Sequence, residues 1–147
     1  IAFKAEATRE PGLSATLSPR AKKLGGVFRI ALGWHKECWQ QGFHKKNYQH
    51  PALVQCAPIW GHRDANQDGK RTGDKFTNDV KGHNQHGTRP RLTPMRVGEW
   101  SYACLVRRFW GDHSAFMRLC SLDPRYIVDK AFKYSTTVVD YSKFIKA

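Results

Sequence analysis

The sequence has few acidic residues for its length. Its 147 residues include 12 Asp and Glu but 25 Lys and Arg, which gives a formal net charge of +13. Such an excess predicts a polyanionic partner: nucleic acid phosphates, anionic lipid headgroups or an acidic protein surface. Glu37 is the only acid from Pro11 to Arg63, and the run from Val80 to Gly98 has none. Both acid-poor stretches are typical of contact surfaces.

Long hydrophobic runs are also missing. The longest, such as Trp100 to Val106, are short and interrupted, whereas a membrane-spanning helix needs about 18 or more apolar residues. The sequence therefore predicts no transmembrane segment. The N-terminus lacks the apolar core of a secretory signal, and the chain begins with Ile1 rather than Met. With the basic composition, this favours import and removal of a presequence, so we expect a mitochondrial protein in the matrix or facing it.

Motifs for nucleophilic catalysis and phosphate binding are absent. The chain has no GxSxG elbow and no GxxxxGK[ST] loop. His62, Asn78 and His86 do have the order and rough spacing of a ββα-metal nuclease site, with a base, a positioning residue and a metal ligand respectively. Because three common polar residues in a polar segment match such a spacing by chance, the sequence predicts no enzyme and no small-molecule substrate.

The four cysteines, at positions 38, 56, 104 and 120, include no CxxC pair. Buried thiols in a reducing compartment are expected, with one or two disulfides as the alternative. Two sets of metal-binding side chains stand out, Cys38, His44, His50 and Cys56 at every sixth residue and the pair of His83 and His86. Structural zinc sites usually pair ligands about two to five residues apart. The sequence therefore predicts no metal and no cofactor.

The segment DANQDGKRTGDK, Asp64 to Lys75, begins like the calcium-binding loop of an EF-hand. Asp, Asn, Asp and Gly occupy positions 1, 3, 5 and 6 of that loop, but position 12, which must supply a bidentate carboxylate, is Lys75. Pro58, Gly61 and Gly82 also exclude the two flanking helices. Our interpretation is a turn built by Asx residues and glycine, at the start of a basic insertion.

The overall pattern predicts an α+β protein with a small single core. Residues 1–26 have Pro, Gly and Ser/Thr without an apolar period and are predicted to form an extended basic arm. Residues 27–147 are predicted to form a single small α+β domain, interrupted by a long irregular Gly/His/Arg-rich insertion at about 61–96. A segment of this length without regular structure usually indicates function or disorder.

Local patterns in the first half predict two elements. Val27 to Leu32 is β-branched and apolar and favours a strand. Trp34 to Tyr48 has apolar residues at helical spacing and favours a helix that ends before Pro51.

Local patterns in the second half are less uniform. Trp100 to Trp110 fits either a pair of strands or a buried helix. Asp123 and Pro124 are residue types that suit a helix N-cap and first position, and they predict a helix over 124–134. Residues 136–147 favour a strand or a docking tail.

Cations alternate with aromatic rings in residues 33–50 and again in 107–110. Phosphates are bound by surface Lys and Arg, and unpaired bases stack on exposed rings. The sequence therefore predicts a structural component of a large organellar assembly, specifically an RNA-binding mitochondrial ribosomal protein that docks on rRNA and on neighbouring proteins. The predicted RNA contacts are Arg20, Lys22, Lys23, Arg29, Lys45, Lys46, Arg63, Lys70, Arg71, Lys81, Arg89, Arg91 and Arg96.

A second function fits the same features. A peripheral supernumerary subunit of a mitochondrial membrane complex, such as a respiratory complex or ATP synthase, links neighbouring subunits and anchors aromatic side chains in their grooves. Only 25 of 147 residues are Lys or Arg, which is low for a ribosomal protein, and the aromatic share of 12% suits a protein interface.

Overall fold

The structure is a computed structural model that describes residues 3–44, 49–79, 82–91, 95–96, 98 and 101–140. In this part of the chain, two short helices follow the first strand, seven strands follow them, and two more helices precede the last strand. The strands are β1 (Ala7–Thr8), β2 (Val27–Ile30), β3 (Gly33–His44), β4 (His50–Gln55), β5 (Ile59–Asp64), β6 (Lys75–Asp79), β7 (Asn84–Gly87), β8 (Leu105–Arg107) and β9 (Tyr134–Val138). The helices are α1 (Leu13–Thr16), α2 (Pro19–Lys23), α3 (Trp110–Ser121) and α4 (Pro124–Val128).

The strands form two sheets. A curled six-stranded sheet has the order β1-β8-β7-β4-β3-β9, in which only β7 and β8 pair in parallel. A three-stranded antiparallel sheet has the order β2-β5-β6. The predicted mixed α+β class is therefore confirmed. Among the described residues, no helix is long and apolar enough to cross a membrane.

The core lies between the two sheets and α3. It is built from Phe28, Ile30, Cys38, Trp39, Leu53, Ile59, Met117 and Cys120. Trp39 is 1% exposed, and its indole nitrogen donates to the Thr136 hydroxyl at 2.6 Å, which ties β3 to β9. Truncating a buried Trp costs about 3–5 kcal/mol, so this side chain stabilises the centre of the larger sheet.

The helix predicted over 34–48 is wrong, because Gly33–His44 forms the long strand β3. The register against β9 shifts between His35 and Trp39, and Glu37 in that interval has a φ of 46°. A bulge of this kind moves the inward-facing positions along the strand. Cys38 and Trp39 are consequently both buried, and the apolar spacing imitates a helical period.

The helix predicted over 124–134 begins as expected but is too long. The Asp123 carboxylate accepts from the Arg125 backbone N–H at 2.9 Å, which confirms the N-cap. α4 ends at Val128, whose side chain is 88% exposed, so the helix buries no apolar stripe. Residues 134–138 pair with β3 instead, because the strand satisfies backbone groups along a partner. The strand predicted within 136–147 is thus confirmed for its first residues, and 141–147 lie outside the described residues.

The structure also decides two further predictions, at residues 27–32 and in the segment that ends at residue 110. The strand predicted at Val27 to Leu32 is confirmed as β2. In the segment from 101 to 110, the structure has the short strand β8 followed by the start of α3, rather than either a strand pair or one helix.

The segments predicted to be extended or irregular contain regular structure. Residues 1–26 include α1 and α2, where Ala15 and Ala21 are fully buried and the Ser18 hydroxyl caps α2 by accepting from Ala21 N–H at 3.1 Å. Residues 61–96 include the end of β5 and all of β6 and β7. Polar side chains did not prevent these strands, because backbone pairing with neighbouring strands supplies their hydrogen bonds. The division into an arm and one domain stays a prediction.

α3 is seated on the six-stranded sheet through His113. Its side chain is 1% exposed, and its Nε2 donates to the Pro51 carbonyl at 2.7 Å. Gly87 allows this approach, because a Cβ there would lie 2.7 Å from the His113 Cβ. Burial lowers the pKa of His113 from 6.5 to about 4, and Arg107 and His50 act in the same direction.

The packing at Gly61 generates a stability prediction. A Cβ added there would collide with the Phe28 ring and the Arg29 carbonyl, so Gly61→Ala should lower the free energy of unfolding by about 1–3 kcal/mol. Gly111→Ala is the matched control, because that Cβ meets nothing within 4 Å and the residue is helical. It should raise stability by up to about 1 kcal/mol. Urea denaturation measures both, and equal effects would contradict the packing described.

The burial of His113 generates a pH prediction. The unfolded chain takes up a proton at this histidine between pH 6.5 and 4, whereas the folded chain does not. The stability from neutral His113 is therefore complete above pH 6.5 and is lost as the pH falls toward 4. Urea denaturation at stepped pH should show this decline, and His113→Gln should make it shallower. An unchanged decline in the variant would show that His113 is not its source.

Candidate functional site

The three-stranded sheet has one face in the core and one face toward solvent. Alternation along β2 and β5 turns Phe28, Ile30 and Ile59 inward. The cross-strand pairs put Arg29 opposite His62 and His62 opposite Phe76, and they put Trp60 opposite Asn78. Because directly paired residues share a face, these five side chains form one outer surface, which we call the outer face.

Two aromatic rings dominate the outer face. The Trp60 and Phe76 rings stack with centroids 5.2 Å apart and an interplanar angle of 12°. They are 50% and 57% exposed, although each has a large apolar surface that folding normally buries. Trp34, at the start of β3, is 66% exposed and borders the same region. Clustered exposed aromatic residues of this kind mark a binding surface.

These rings line a cleft of about 650 Å³, which we call the aromatic cleft. Its walls come from β2, β3, β5, β6, the segment before α1 and the loop between β5 and β6. Its full lining is Arg9, Arg29, Ala31, Leu32, Gly33, Trp34, His35, Trp60, His62, Arg71, Phe76, Val139 and Asp140. The combination of flat rings with guanidinium groups suits a ligand that is both planar and anionic.

The cleft arginines differ in how firmly they are held. Arg29 is the most fixed, with Nη2 3.0 Å from the Asp74 carboxylate, Nε 3.8 Å from Glu10 and a side chain only 14% exposed. Arg9 donates weakly to the Ile30 carbonyl and to Glu10, both at 3.4 Å. Burial lowers the pKa of Arg9, while Glu10 opposes that shift.

Arg71 is the most exposed cation of the group. Its Nη2 lies 2.5 Å from Glu10, yet its side chain is 67% exposed. An ion pair at this exposure contributes about 0–1 kcal/mol, so Arg71 can exchange Glu10 for another anion at little cost. Glu10, Asp74 and the cleft residue Asp140 bring the cleft close to charge balance, which limits its attraction at long range.

The calcium-like sequence forms the loop that carries Arg71. Asp64 is 5% exposed, and its carboxylate accepts from the backbone N–H groups of Asp68 at 3.2 Å and Gly69 at 3.0 Å. Gly69 has a φ of 68°, a left-handed conformation that glycine adopts without strain. The interpretation as an Asx and glycine turn is confirmed. Asp64 therefore fixes the shape of the loop.

The predicted RNA contacts fall into three groups. Those with exposed side chains are Arg20, Lys22, Lys23, Lys70, Arg71, Arg89, Arg91 and Arg96. Arg29 and Arg63 are partly buried, and Lys45, Lys46 and Lys81 lie outside the described residues. Arg63 pairs with Asp79 and donates to the Gly26 carbonyl at 2.8 Å, so it holds strands together on the inner face. The structure brings Arg29 and Arg71 to the aromatic cleft.

The sequence did not single out Trp60, Phe76 or Arg9. A period-two pattern was nevertheless available, since IWGHRD places Trp60 and His62 on one side of a strand and KFTND does the same for Phe76 and Asn78. The sequence does not reveal that β5 pairs with β6. This pairing brings the Trp60 and Phe76 rings into one surface.

The other sequence candidates are dispersed. His62 and Asn78 lie on the three-stranded sheet, whereas His86 is 2% exposed on β7 of the other sheet, so the nuclease-like trio is divided between two sheets. Cys38 and Cys120 are buried thiols, and burial raises the pKa of each to about 11. Neither is disposed to act as a thiolate nucleophile.

Comparison with known proteins found no matching family model, no matching curated protein and no matching solved structure. The function is therefore inferred from the geometry of the chain itself.

Proposed function

We propose that the protein binds single-stranded RNA in the aromatic cleft, as a structural component of a large organellar assembly such as the mitochondrial ribosome. The observation that carries the proposal is the stacked, half-exposed pair of Trp60 and Phe76 beside the exposed guanidinium of Arg71. Bases stack on such rings, and a guanidinium binds the adjoining phosphate through two parallel hydrogen bonds.

The cleft suits unpaired nucleotides rather than a duplex. Bases inside a helix are already stacked on each other, and an RNA duplex presents mainly its backbone and 2′-hydroxyl groups. The rings of the outer face need splayed bases to stack on them. Asn78 and His62 lie beside the rings and offer donors and acceptors to base edges.

The loop that carries Arg71 also contacts the start of α2. The Gln67 side chain donates to the carbonyls of Thr16 at 2.6 Å and Ser18 at 3.3 Å, so the Arg71 loop packs against the start of α2. α2 carries three exposed cations, Arg20, Lys22 and Lys23. These residues offer phosphate contacts beyond the cleft. Such contacts are needed because the charges inside the cleft nearly balance.

A protein partner is the second candidate function, in a peripheral supernumerary subunit of a mitochondrial membrane complex. Three carboxylates, those of Glu10, Asp74 and Asp140, nearly balance the charges of Arg9, Arg29 and Arg71. This balance favours a protein partner, because a protein groove tolerates paired charges better than a polyphosphate does. Exposed Trp and Phe side chains then serve as anchors at the centre of an interface.

Removing one ring tests the proposal. Trp60→Ala should weaken binding of an unstructured RNA oligonucleotide about 5-fold to 150-fold, because one base stack is worth about 1–3 kcal/mol. Trp60→Phe should retain most of the affinity, since a ring remains. Phe43→Ala is the control, because Phe43 is 65% exposed at the opposite end of β3. Fluorescence anisotropy measures all three.

Wild-type protein that binds no RNA would contradict the proposal. So would equal losses for Trp60→Ala and Phe43→Ala, because the effect would then not belong to the cleft. The alternative outcome is that Trp60→Ala causes the loss of a neighbouring protein from the particle purified from mitochondria, while ribonuclease treatment releases nothing from that particle. The supernumerary-subunit function would then replace the RNA-binding one.

Salt dependence tests the role of Arg71. Arg71→Gln should reduce the slope of log K against log salt by about 0.7, the contribution of one phosphate contact in a single strand. Arg118→Gln is the control, because Arg118 is an exposed cation on α3, away from the cleft lining. Titrations at four salt concentrations give the slopes, and an unchanged slope in Arg71→Gln would remove that residue from the interface.

A further inference from the structure

A second cluster of chemically active side chains lies in the six-stranded sheet. His44 ends β3, His86 lies in β7 and Cys104 immediately precedes β8. One ligand atom from each of these residues lies within 4.8 Å of the other two. The side chains are 8%, 2% and 9% exposed, so the cluster is buried. Imidazole nitrogen and thiolate sulfur are the donors that zinc prefers in proteins.

The strand register explains why residues so distant in sequence meet. Val54 of β4 pairs with Asn84 of β7, and His50 of β4 pairs with His44 of β3. Because alternate residues of a strand share a face, His44, Asn84 and His86 lie on one face of the sheet. Gly87 turns to the opposite face, where it contacts His113 of α3.

Both imidazoles have a neighbouring polar group at Nδ1. His86 Nδ1 donates to the Gly87 carbonyl at 2.8 Å, which leaves Nε2 with its lone pair. His44 Nδ1 lies 2.8 Å from the Asn84 side-chain amide nitrogen. With that amide rotated by 180°, its oxygen faces His44 and accepts from an Nδ1–H. Metal-binding histidines typically donate their second nitrogen to a carbonyl or a comparable acceptor. His86 does so here, and His44 would do so with the Asn84 amide rotated.

We propose that His44, His86 and Cys104 bind one zinc ion. Zn–N bonds of about 2.0–2.1 Å and a Zn–S bond of about 2.3 Å put tetrahedral ligand atoms about 3.5 Å apart, so the cluster must contract by up to about 1.3 Å. The His44 and His86 rings, now stacked at 3.8 Å and 9°, must also rotate, because the ion lies close to the plane of each ring.

Binding replaces one proton by one ion. The Cys104 thiol, whose sulfur lies 3.9 Å from the Gly82 carbonyl, loses its proton to solvent as the sulfur–zinc bond forms. The fourth position is filled by water or by His50, whose ring lies 5.3 Å from His44 and 5.7 Å from His86. The donor set excludes calcium and magnesium, which require oxygen ligands.

The ion would have a structural consequence. β3 and β7 are not neighbours, since β4 lies between them, and Cys104 immediately precedes β8, the next strand along the order. One ion would thus fix the curl of the sheet across β3, β4, β7 and β8. Because the unfolded chain does not preform the site, the binding free energy would add to the free energy of unfolding.

Cobalt(II) substituted for zinc provides the direct test. The full-length wild-type protein should bind one equivalent of Co²⁺ and show a thiolate-to-cobalt charge-transfer band together with the strong visible d–d bands of tetrahedral coordination. Cys104→Ser should abolish the charge-transfer band and weaken zinc affinity at least about 100-fold, and Asn84→Ala should weaken affinity about 10-fold to 100-fold. Cys56→Ser is the matched control, since that thiol lies outside the cluster.

X-ray absorption of the zinc-loaded wild type tests the same proposal without a variant. The expected coordination is one sulfur at about 2.3 Å and at least two imidazole nitrogens at about 2.0–2.1 Å. A wild-type chain without the cobalt–thiolate band, or two sulfur ligands on zinc, would overturn the proposal. A band that persists in Cys104→Ser would do so as well, and none of these outcomes depends on RNA binding.

Discussion

The close contact between Phe28 and Gly61 is the constraint on which the outer face depends. Without a side chain at Gly61, β5 lies close enough to β2 for the Phe28 ring to fill the core beside Ile59. That contact settles which face of β5 is inward, and a shift of one residue would turn Trp60 and His62 into the core. The exposed aromatic pair is thus a consequence of a buried contact on the opposite face.

The same sheet brings charged groups to the edge of the rings. Arg29 is paired across the strand with His62 and is fixed by Asp74, so it sets the wall of the aromatic cleft. Arg71 comes from a loop whose shape depends on the Asp64 carboxylate. Arg29 is held by ion pairs inside the cleft, whereas Arg71 at its rim is exposed and is the proposed phosphate contact. The proposed zinc site is on the other sheet and shares none of these residues.

Local signals predicted local features well. The strand β2, the Asp123 N-cap with Pro124, and the Asx turn at Asp64 each depend on a few adjacent residues, and the structure confirms all three. The α+β class follows from the same mixture of signals. The helix predicted over 34–48 was wrong because a bulge near Glu37 changes the inward period of β3, and the sequence does not mark the bulge.

Features that depend on pairing between distant strands were beyond the sequence. Trp60 and Phe76 become one surface only through the β5–β6 register, and His44, His86 and Cys104 meet only through the order of the curled sheet. The regular spacing in the sequence groups His44 with Cys38 and not with His86 and Cys104, but Cys38 is 0% exposed in the core cluster. Regular sequence spacing indicates a site only where the backbone follows the same period.

The central claim is that RNA contacts the outer face of the three-stranded sheet. Ultraviolet cross-linking of the purified protein to an unstructured RNA, followed by mass spectrometry of the cross-linked peptides, tests it most directly. Cross-links at Trp60 or Phe76, within β5 and β6, are the predicted result. Cross-links confined to other parts of the chain, or none at all under conditions where the protein is folded, would contradict the account.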